Sequence, residues 1–311
     1  MALKHLWTEL YRPKTVSGYV FKDSDTKQQI LSWIADKTIP NLLFSGNPGT
    51  GKTTLARILI NELDVDKTDV LEINASRSNS VDDVRNSITR FVTTMPFGDF
   101  RVVLLDEADY LSPSAQAALR GVMEQYSDTA RFILTCNYPN RIIPALHSRC
   151  QGVHINRLDG VEFTARAAEI LINEGIEFEL ETLDSFIKST YPDMRKCINT
   201  MQQNSTSGKL ILNTVDTQSS VDYRLDAVVL FKQRRYREGR QLITDQVRPE
   251  EVEEVFRWFY DNLGLWSETE KGQDQAVVII RNGLVNHSMV SDAEINLSAT
   301  LIELSQINEA G

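Results

Sequence analysis

Cysteine is scarce and scattered. The three thiols, Cys136, Cys150 and Cys197, stand far apart with no C-x-x-C pair. That excludes a disulfide framework and a zinc-ribbon type of site, and it fits a reducing compartment. Long apolar runs are missing as well: none approaches the ~20 residues of a membrane helix, so no membrane span or membrane partner is expected. Residues 1–12 carry Trp7 and Glu9 and hold no apolar signal core, so no secretory leader is read there. Internal repeats are absent. So is any excess of positive charge: 33 Lys and Arg stand against 43 Asp and Glu, a formal net charge of −10. A chain with that balance engages nucleic acid only by gathering its basic residues on one face. At 311 residues the chain is too long for one small core, and two or three domains are expected.

What is present begins with alternation. Residues 41–45 (NLLFS), 70–75 (VLEINA), 102–106 (VVLLD) and 131–137 (RFILTCN) read as buried strands. Between them, 54–63, 82–94 and 114–126 carry apolar residues at helical spacing, and Ser80 or Asp82 suits the N-cap of the second. Apolar strands alternating with helices predict an α/β domain, a parallel sheet covered on both faces. Near Leu158 the pattern changes. Residues 160–174, 180–191 and 193–204 read as helices, 204–220 as a loop with a short extended piece and a linker, and the block from about 223 onward as helical again.

Two motifs carry chemistry. Gly46-Asn47-Pro48-Gly49-Thr50-Gly51-Lys52-Thr53 fits G-x-x-x-x-G-K-[ST] and lies between a predicted strand and a predicted helix, the context this motif requires. Its glycines let backbone N–H groups wrap phosphates, and the helix N-terminus favours the anion. Lys52 is placed for the β and γ phosphates, and the Thr53 hydroxyl for Mg²⁺. The second motif is Asp106-Glu107-Ala108-Asp109, directly after an apolar strand. A carboxylate at that strand end, Asp106, can hold the metal, directly or through water. Glu107 is then placed to polarise an attacking water. Asp109 is read as shaping the loop. Asn137 ends the next strand, where a short amide holds the water or senses the γ-phosphate, or merely serves as a turn residue.

The letters D-E-A-D also belong to RNA helicases. Such an enzyme should continue into an S-A-T stretch and a second RecA-like domain. Here YLSPSAQAALRGVMEQYS follows and the second half is helical, so the helicase reading fails.

With LWTELYRPKTV (6–16), GNPGTGKTT (46–54), EINAS (72–76), LLDEADYLSPSAQAALRGVMEQYS (104–127), TCNY (135–138), HSRC (147–150) and YPDMRKCIN (191–199), the chain resembles the AAA+ sliding-clamp loaders. The similarity is to the small subunits of replication factor C and to the ATPase subunit of the T-even-type bacteriophage loader. It spans residues 6 to about 200, and the C-terminal third matches only in length and helical character.

The resemblance implies a P-loop AAA+ domain over 1–157, a small helical lid over 158–222 and an all-α collar over 223–311 that oligomerises. It implies an ATPase that uses ATP and Mg²⁺. Its partners would be a sliding clamp, primer–template DNA bound without regard to sequence, further copies of itself and a companion loader subunit, in a pentamer. The compartment would be the cytoplasm, that of the host if the gene is a phage's, or the nucleus if it is eukaryotic. Residue by residue, Thr8, Glu9, Leu10 and Tyr11, with Val20, look like the adenine-side wall, although Tyr11 and Pro13 beside Arg12 equally suit a packed N-terminal arm. Gly49, Thr50, Gly51, Lys52, Thr53 and Thr54 form the phosphate loop. Arg149 looks like an arginine finger that reaches a neighbour's γ-phosphate. Arg195 looks like the sensor of nucleotide in its own subunit.

Arg77, Arg85 and Arg90 are the candidates for DNA phosphates, contacts that fix position without reading sequence. There is a departure here. The family commonly reads D-E-R-G after N-A-S, whereas this chain reads Arg77-Ser78-Asn79. Either Arg77 takes over the link from DNA to the active site or the switch is built differently. The family's L-R-R becomes Leu119-Arg120-Gly121, with Arg120 kept and Gln116 one turn before it, a candidate pair for a relay between subunits. Met95-Pro96-Phe97-Gly98 reads as either a clamp-contact turn or plain core. The aromatics of RWFYDNLGLW (257–266) suit a subunit interface or a helical core.

Overall fold

The computed structural model describes residues 5–77, 81–206, 208–211, 222–247, 252–267, 269–287, 289–290 and 292–307, the side chains of 81–85, 206, 222–225 and 254 excepted. The chain divides into two compact units, residues 1–211 and 212–311.

The first unit is built on a five-stranded sheet, β1 (Leu42–Ser45), β2 (Val70–Asn74), β3 (Arg101–Asp106), β4 (Ala130–Cys136) and β5 (Gln151–His154). The order is β2-β3-β4-β1-β5 and every pairing is parallel. Leu42–Phe44, Val102–Leu105 and Phe132–Leu134 are buried, as strands covered on both faces must be. Burying each such side chain contributes about 1.5–3 kcal/mol. Because β1 pairs with both β4 and β5, the loop after β1 opens at the point where strand order reverses, beside the ends of β3 and β4.

The α-helices before β5 are α1 (Trp7–Leu10), α2 (Ser24–Ala35), α3 (Lys52–Glu62), α4 (Val81–Val92), α5 (Pro113–Gln125) and α6 (Pro144–His147), of which α3, α4 and α5 pack on the strands. α5 shows why it starts where it does: Ser112 caps it by accepting from the Ala115 N–H, and Pro113 follows at the first helical position. Its buried residues include Ala115, Leu119, Val122 and Met123, which pack on the sheet with Ile88 and Val92 of α4. Three helices follow β5: α7 (Gly160–Asn173), α8 (Leu180–Thr190) and α9 (Met194–Asn204). Asp159 caps α7 and Asp193 caps α9. The extended piece expected in 204–220 is a two-residue hairpin, Ser205–Thr206 with Lys209–Leu210.

The second unit is helical over Asp222–Lys232, Tyr236–Gln246, Val252–Asp261, Glu270–His287 and Ala293–Ser305. Its core holds Phe231, Phe256, Phe259 and Trp266. Of the two uses open to the 257–266 aromatics, Phe259 and Trp266 serve the core, packed edge to face at 5.4 Å. Tyr260 is exposed, under the Arg257 guanidinium.

Candidate active site

The loop after β1 is shaped for close backbone approach. Gly49 and Gly51 sit at φ 74° and 87°, a left-handed region that disfavours any residue with a Cβ. A Cβ on Gly49 would lie 1.7 Å from the Asp193 Oδ1, and one on Gly51 would lie 2.9 Å from the Tyr19 ring. α3 begins at Lys52, so its free N–H groups face the loop. Lys52 is buried, and its Nζ donates to Gly46 O (2.8 Å) and Asn47 O (2.7 Å). Burial pushes its pKa down to about 8, against the opposing charges of Asp109 and Asp106.

Beside the loop lies a pocket. Thr8, Tyr11 and Val20 line one side, Gly49, Thr50, Gly51 and Thr54 the loop side, and Arg195 a third, on α9. The structure therefore gathers eight of the expected residues from four separate stretches. Glu9 and Leu10, expected on the same wall, do not line it. α1 is a single turn, so Thr8 and Tyr11, three positions apart, share a face while their neighbours turn away. Glu9 pairs with Arg12 at 2.7 Å and Leu10 is 53% exposed. The alternative of a packed N-terminal arm also holds in part. The Tyr11 hydroxyl donates to Glu174 (2.7 Å), and Gln202 accepts from Trp7 N and donates to His5 O. Burial and that carboxylate push the Tyr11 pKa up to about 12.

The second cluster lies at the ends of β3 and β4. Asp106 Oδ1 accepts from Thr53 Oγ1 and from Thr135 Oγ1, each at 2.6 Å. Thr135 Oγ1 in turn accepts from the Glu107 N–H at 3.0 Å. Glu107 itself sits at φ 57°, ψ 45°, a left-handed conformation that costs of order 1–3 kcal/mol in a residue other than glycine. Such a residue persists where its surroundings hold it, and here the Thr135 hydroxyl does so. Asn137 is half-buried, and its N–H donates to Asp109 Oδ2. The Thr53 and Asp106 oxygens, already in contact, are the pair that a P-loop site offers to Mg²⁺, an ion that takes few protein ligands and completes its shell with phosphate and water. The donor set fits.

Comparison with known proteins bears on this geometry. The model of the ATPase family associated with various cellular activities (AAA) matches residues 42–158. The replication factor C small subunit of Sulfurisphaera tokodaii is 41% identical over 214 residues, covering 68% of this chain and 65% of that protein. The small subunit of Methanocella arvoryzae is 38% identical over 224 residues, covering 71% and 69%. The chain belongs to the replication factor C small-subunit family. The match with the Sulfurisphaera protein thus spans slightly under two thirds of that relative's length. Among solved structures, the RuvB Holliday junction branch migration motor of Thermotoga maritima superposes with a TM-score of 0.57 at 15% identity, over 71% of this chain and 79% of that one. At that identity the likeness is one of fold alone.

Against the replication factor C pattern, the remaining expected residues fall in different places. Arg149 follows α6 and does not line its own chain's pocket. Its Nε donates to Glu124 on α5 (2.8 Å), its second amino group also meets that carboxylate, and the first donates to Ala145 O (2.8 Å). Gln116 is buried and its amide is spent inside the subunit. It donates to Leu111 O and Arg141 O and accepts from Ile143 N. Gln116 is thus an internal joint of its own subunit: α5 turns position 116 inward while Arg120 stays exposed, so the two candidate relay residues do not share one face. Arg77 is exposed in the turn after β2. Arg90 is exposed on α4 and edges a groove shared with Ala117, Ala118 and Gly121 of α5. The Arg85 side chain lies outside the described residues, as do Ser78, Asn79 and Ser80. Met95 and Phe97 are 85% and 82% exposed, so that turn is not core.

Sequence reading missed four contributors. Thr135 was hidden inside an apolar strand. Tyr19 donates to Thr50 O (3.2 Å), and Arg166 of α7 lines the pocket while donating to Tyr11 O (2.9 Å). Asp193, read only as the first residue of the 193–204 helix, reaches the phosphate loop. None of these carries a local signal, because each acts through a partner distant in sequence.

Proposed function

We propose that this chain is an ATP-hydrolysing subunit of a DNA-replication clamp loader, which opens a ring-shaped sliding clamp on binding ATP and leaves it on primer–template DNA on hydrolysis. The observation that carries this reading is the hydrogen-bonded set Thr53–Asp106–Thr135 beside the strained Glu107, at the mouth of a phosphate loop in a replication factor C chain.

The residues divide the work. The loop N–H groups of Gly49–Thr54 and the Lys52 ammonium take the phosphates. Thr8, Tyr11 and Val20 hold the base side, and Arg195 reports the nucleotide to the helices after β5. Thr53 and Asp106 would hold Mg²⁺, which would supply positive charge to offset that developing on the phosphates. Glu107 orients and polarises the attacking water, with Asn137 on its other side. Arg149 enters the site of the neighbouring copy, where its planar guanidinium stabilises charge on the transferred phosphoryl.

The partners follow in the same terms. Arg77, Arg85 and Arg90 meet DNA backbone phosphates. The exposed Met95–Phe97 turn supports contact with an apolar groove on the clamp. The C-terminal unit joins copies of the chain and one companion subunit into a pentamer. Val278 and Val285, both exposed and seven positions apart on one helix, support that role. In a phage-infected cell the setting is the host cytoplasm.

The test is Glu107→Gln. ATP binding stays, and turnover in the presence of clamp and primed DNA falls by at least about 100-fold, the usual weight of a general base. Turnover that persists in this variant removes Glu107 from the role. Wild-type turnover that clamp and primed DNA fail to stimulate removes the clamp-loader reading.

A further inference from the structure

The third acid of the Asp106–Asp109 run has a place that the chemistry above does not use. Asp109 lies in the short turn Ala108–Tyr110 and is 5% exposed. Its Oδ2 accepts two backbone amides from the end of β4, Asn137 N at 3.2 Å and Tyr138 N at 3.1 Å. Its other oxygen, Oδ1, is buried without a hydrogen-bond partner among the described residues. A buried carboxylate with half its capacity idle is a costly way to hold a turn.

The clasp joins two functional segments. Glu107 is two residues before Asp109, in its left-handed conformation. Thr135 is two residues before Asn137 and already meets the Glu107 N–H at 3.0 Å. The β3 turn and the β4 end are thus tied on both sides of Glu107: Thr135 on the strand side, Asp109 on the loop side. One tie lets the β4 end pivot about Thr135, whereas two fix where the Asn137 side chain stands relative to the Glu107 carboxylate.

We infer that Asp109 is a positioning residue for hydrolysis, which sets Asn137 against Glu107 by holding the amides of Asn137 and Tyr138. It touches neither nucleotide nor water itself and acts through Asn137. This rests on the roles proposed above for Glu107 and Asn137. Its function is rate, not affinity: the phosphate loop, Thr53 and Asp106 are held by other bonds.

The test compares four variants of the full chain in its clamp- and DNA-stimulated assembly. They are Asp109→Ala, Asp109→Asn, Asn137→Ala and the double Asp109→Ala/Asn137→Ala. For Asp109→Ala, kcat falls roughly 100-fold, the scale of an ångström's misplacement, while the ATP dissociation constant stays within about threefold. Asp109→Asn recovers most of that loss, since one amide oxygen can accept both N–H groups. The double variant is no slower than the slower single, the non-additivity expected of groups that act as one. A kcat for Asp109→Ala within about twofold of wild type, with Asn137→Ala impaired, overturns this inference alone. Asn137→Ala at the wild-type rate overturns the role of Asn137 and, with it, action through it. If Asp109→Asn is as slow as Asp109→Ala, charge rather than the clasp is what counts. If Asp109→Ala loses ATP binding, the residue is structural. Either result also overturns the inference.

Discussion

Lys52 shows how burial can set a binding threshold. Its ammonium is satisfied by two loop carbonyls, yet burial pushes its pKa down to about 8. The neighbouring Cys136 thiol is pushed up to about 12 by its own burial, so it stays neutral across the same range. The phosphates of ATP favour the charged lysine. Above about pH 8 the free site has lost the proton that the bound site keeps, so binding must take one up. ATP affinity should therefore be flat from about pH 7 to 8 and fall by up to tenfold per unit above that. Titrating a fluorescent ATP analogue against the wild-type chain between about pH 7 and 9.5 checks the sign. Affinity that is level to pH 9.5 means that the ammonium is held charged by something other than the nucleotide.

At the scale of elements, legibility followed the range of the interaction. β3 and β4 announce themselves as apolar runs, and α5 carries its own cap and apolar spacing. β5 does not: among Gln151–His154 only Val153 is buried, because an edge strand needs little apolar surface. α2 buries only Thr26 and Ile30, too few for a periodic stripe. The site behaves likewise. The phosphate loop and Asp106-Glu107 are contiguous motifs. Thr135 and Arg166 depend on partners 29 and 155 positions away, and no local pattern encodes those.

The Met95–Gly98 turn is a third case. Exposure alone makes it look loose. Yet Asp69 Oδ2 accepts from Phe97 N and Gly98 N (2.7 and 2.8 Å), and Arg101 donates to Phe91 O and Met95 O (2.5 and 2.8 Å). Asp69 and Arg101 face each other at 3.4 Å, both buried. This pair holds the apolar tip from beneath. Asp69→Ala leaves the guanidinium buried and uncompensated, which costs about 3–5 kcal/mol. Denaturant unfolding of the wild type and this variant measures that loss, and Asp69→Ala/Arg101→Met should restore part of it. A loss under about 1 kcal/mol would show that the pair contributes no more than an exposed one.

For the whole molecule, the telling fact is where Arg149 is not. It does not line its own pocket and is bonded instead to Glu124 of its own α5, a partly exposed pair. On the roles proposed for Thr53, Asp106, Glu107 and Arg149, a chain that presents its guanidinium away from its own pocket would be an incomplete enzyme alone. The same proposal completes it in a head-to-tail array, where each site would take its base from one copy and its arginine from the next. This predicts complementation. Glu107→Gln copies lack the base and Arg149→Ala copies lack the finger, so each pure assembly is inactive. In an equal mixture roughly a quarter of the interfaces join an intact Glu107 to an intact Arg149, and activity should recover towards that fraction. The measurement is clamp- and DNA-stimulated ATPase of the two pure assemblies and of the mixture, with subunit exchange verified by native mass spectrometry. A mixture that exchanges subunits yet stays as inactive as its components would mean that Arg149 serves its own chain, and the head-to-tail arrangement of the sites would fall with it.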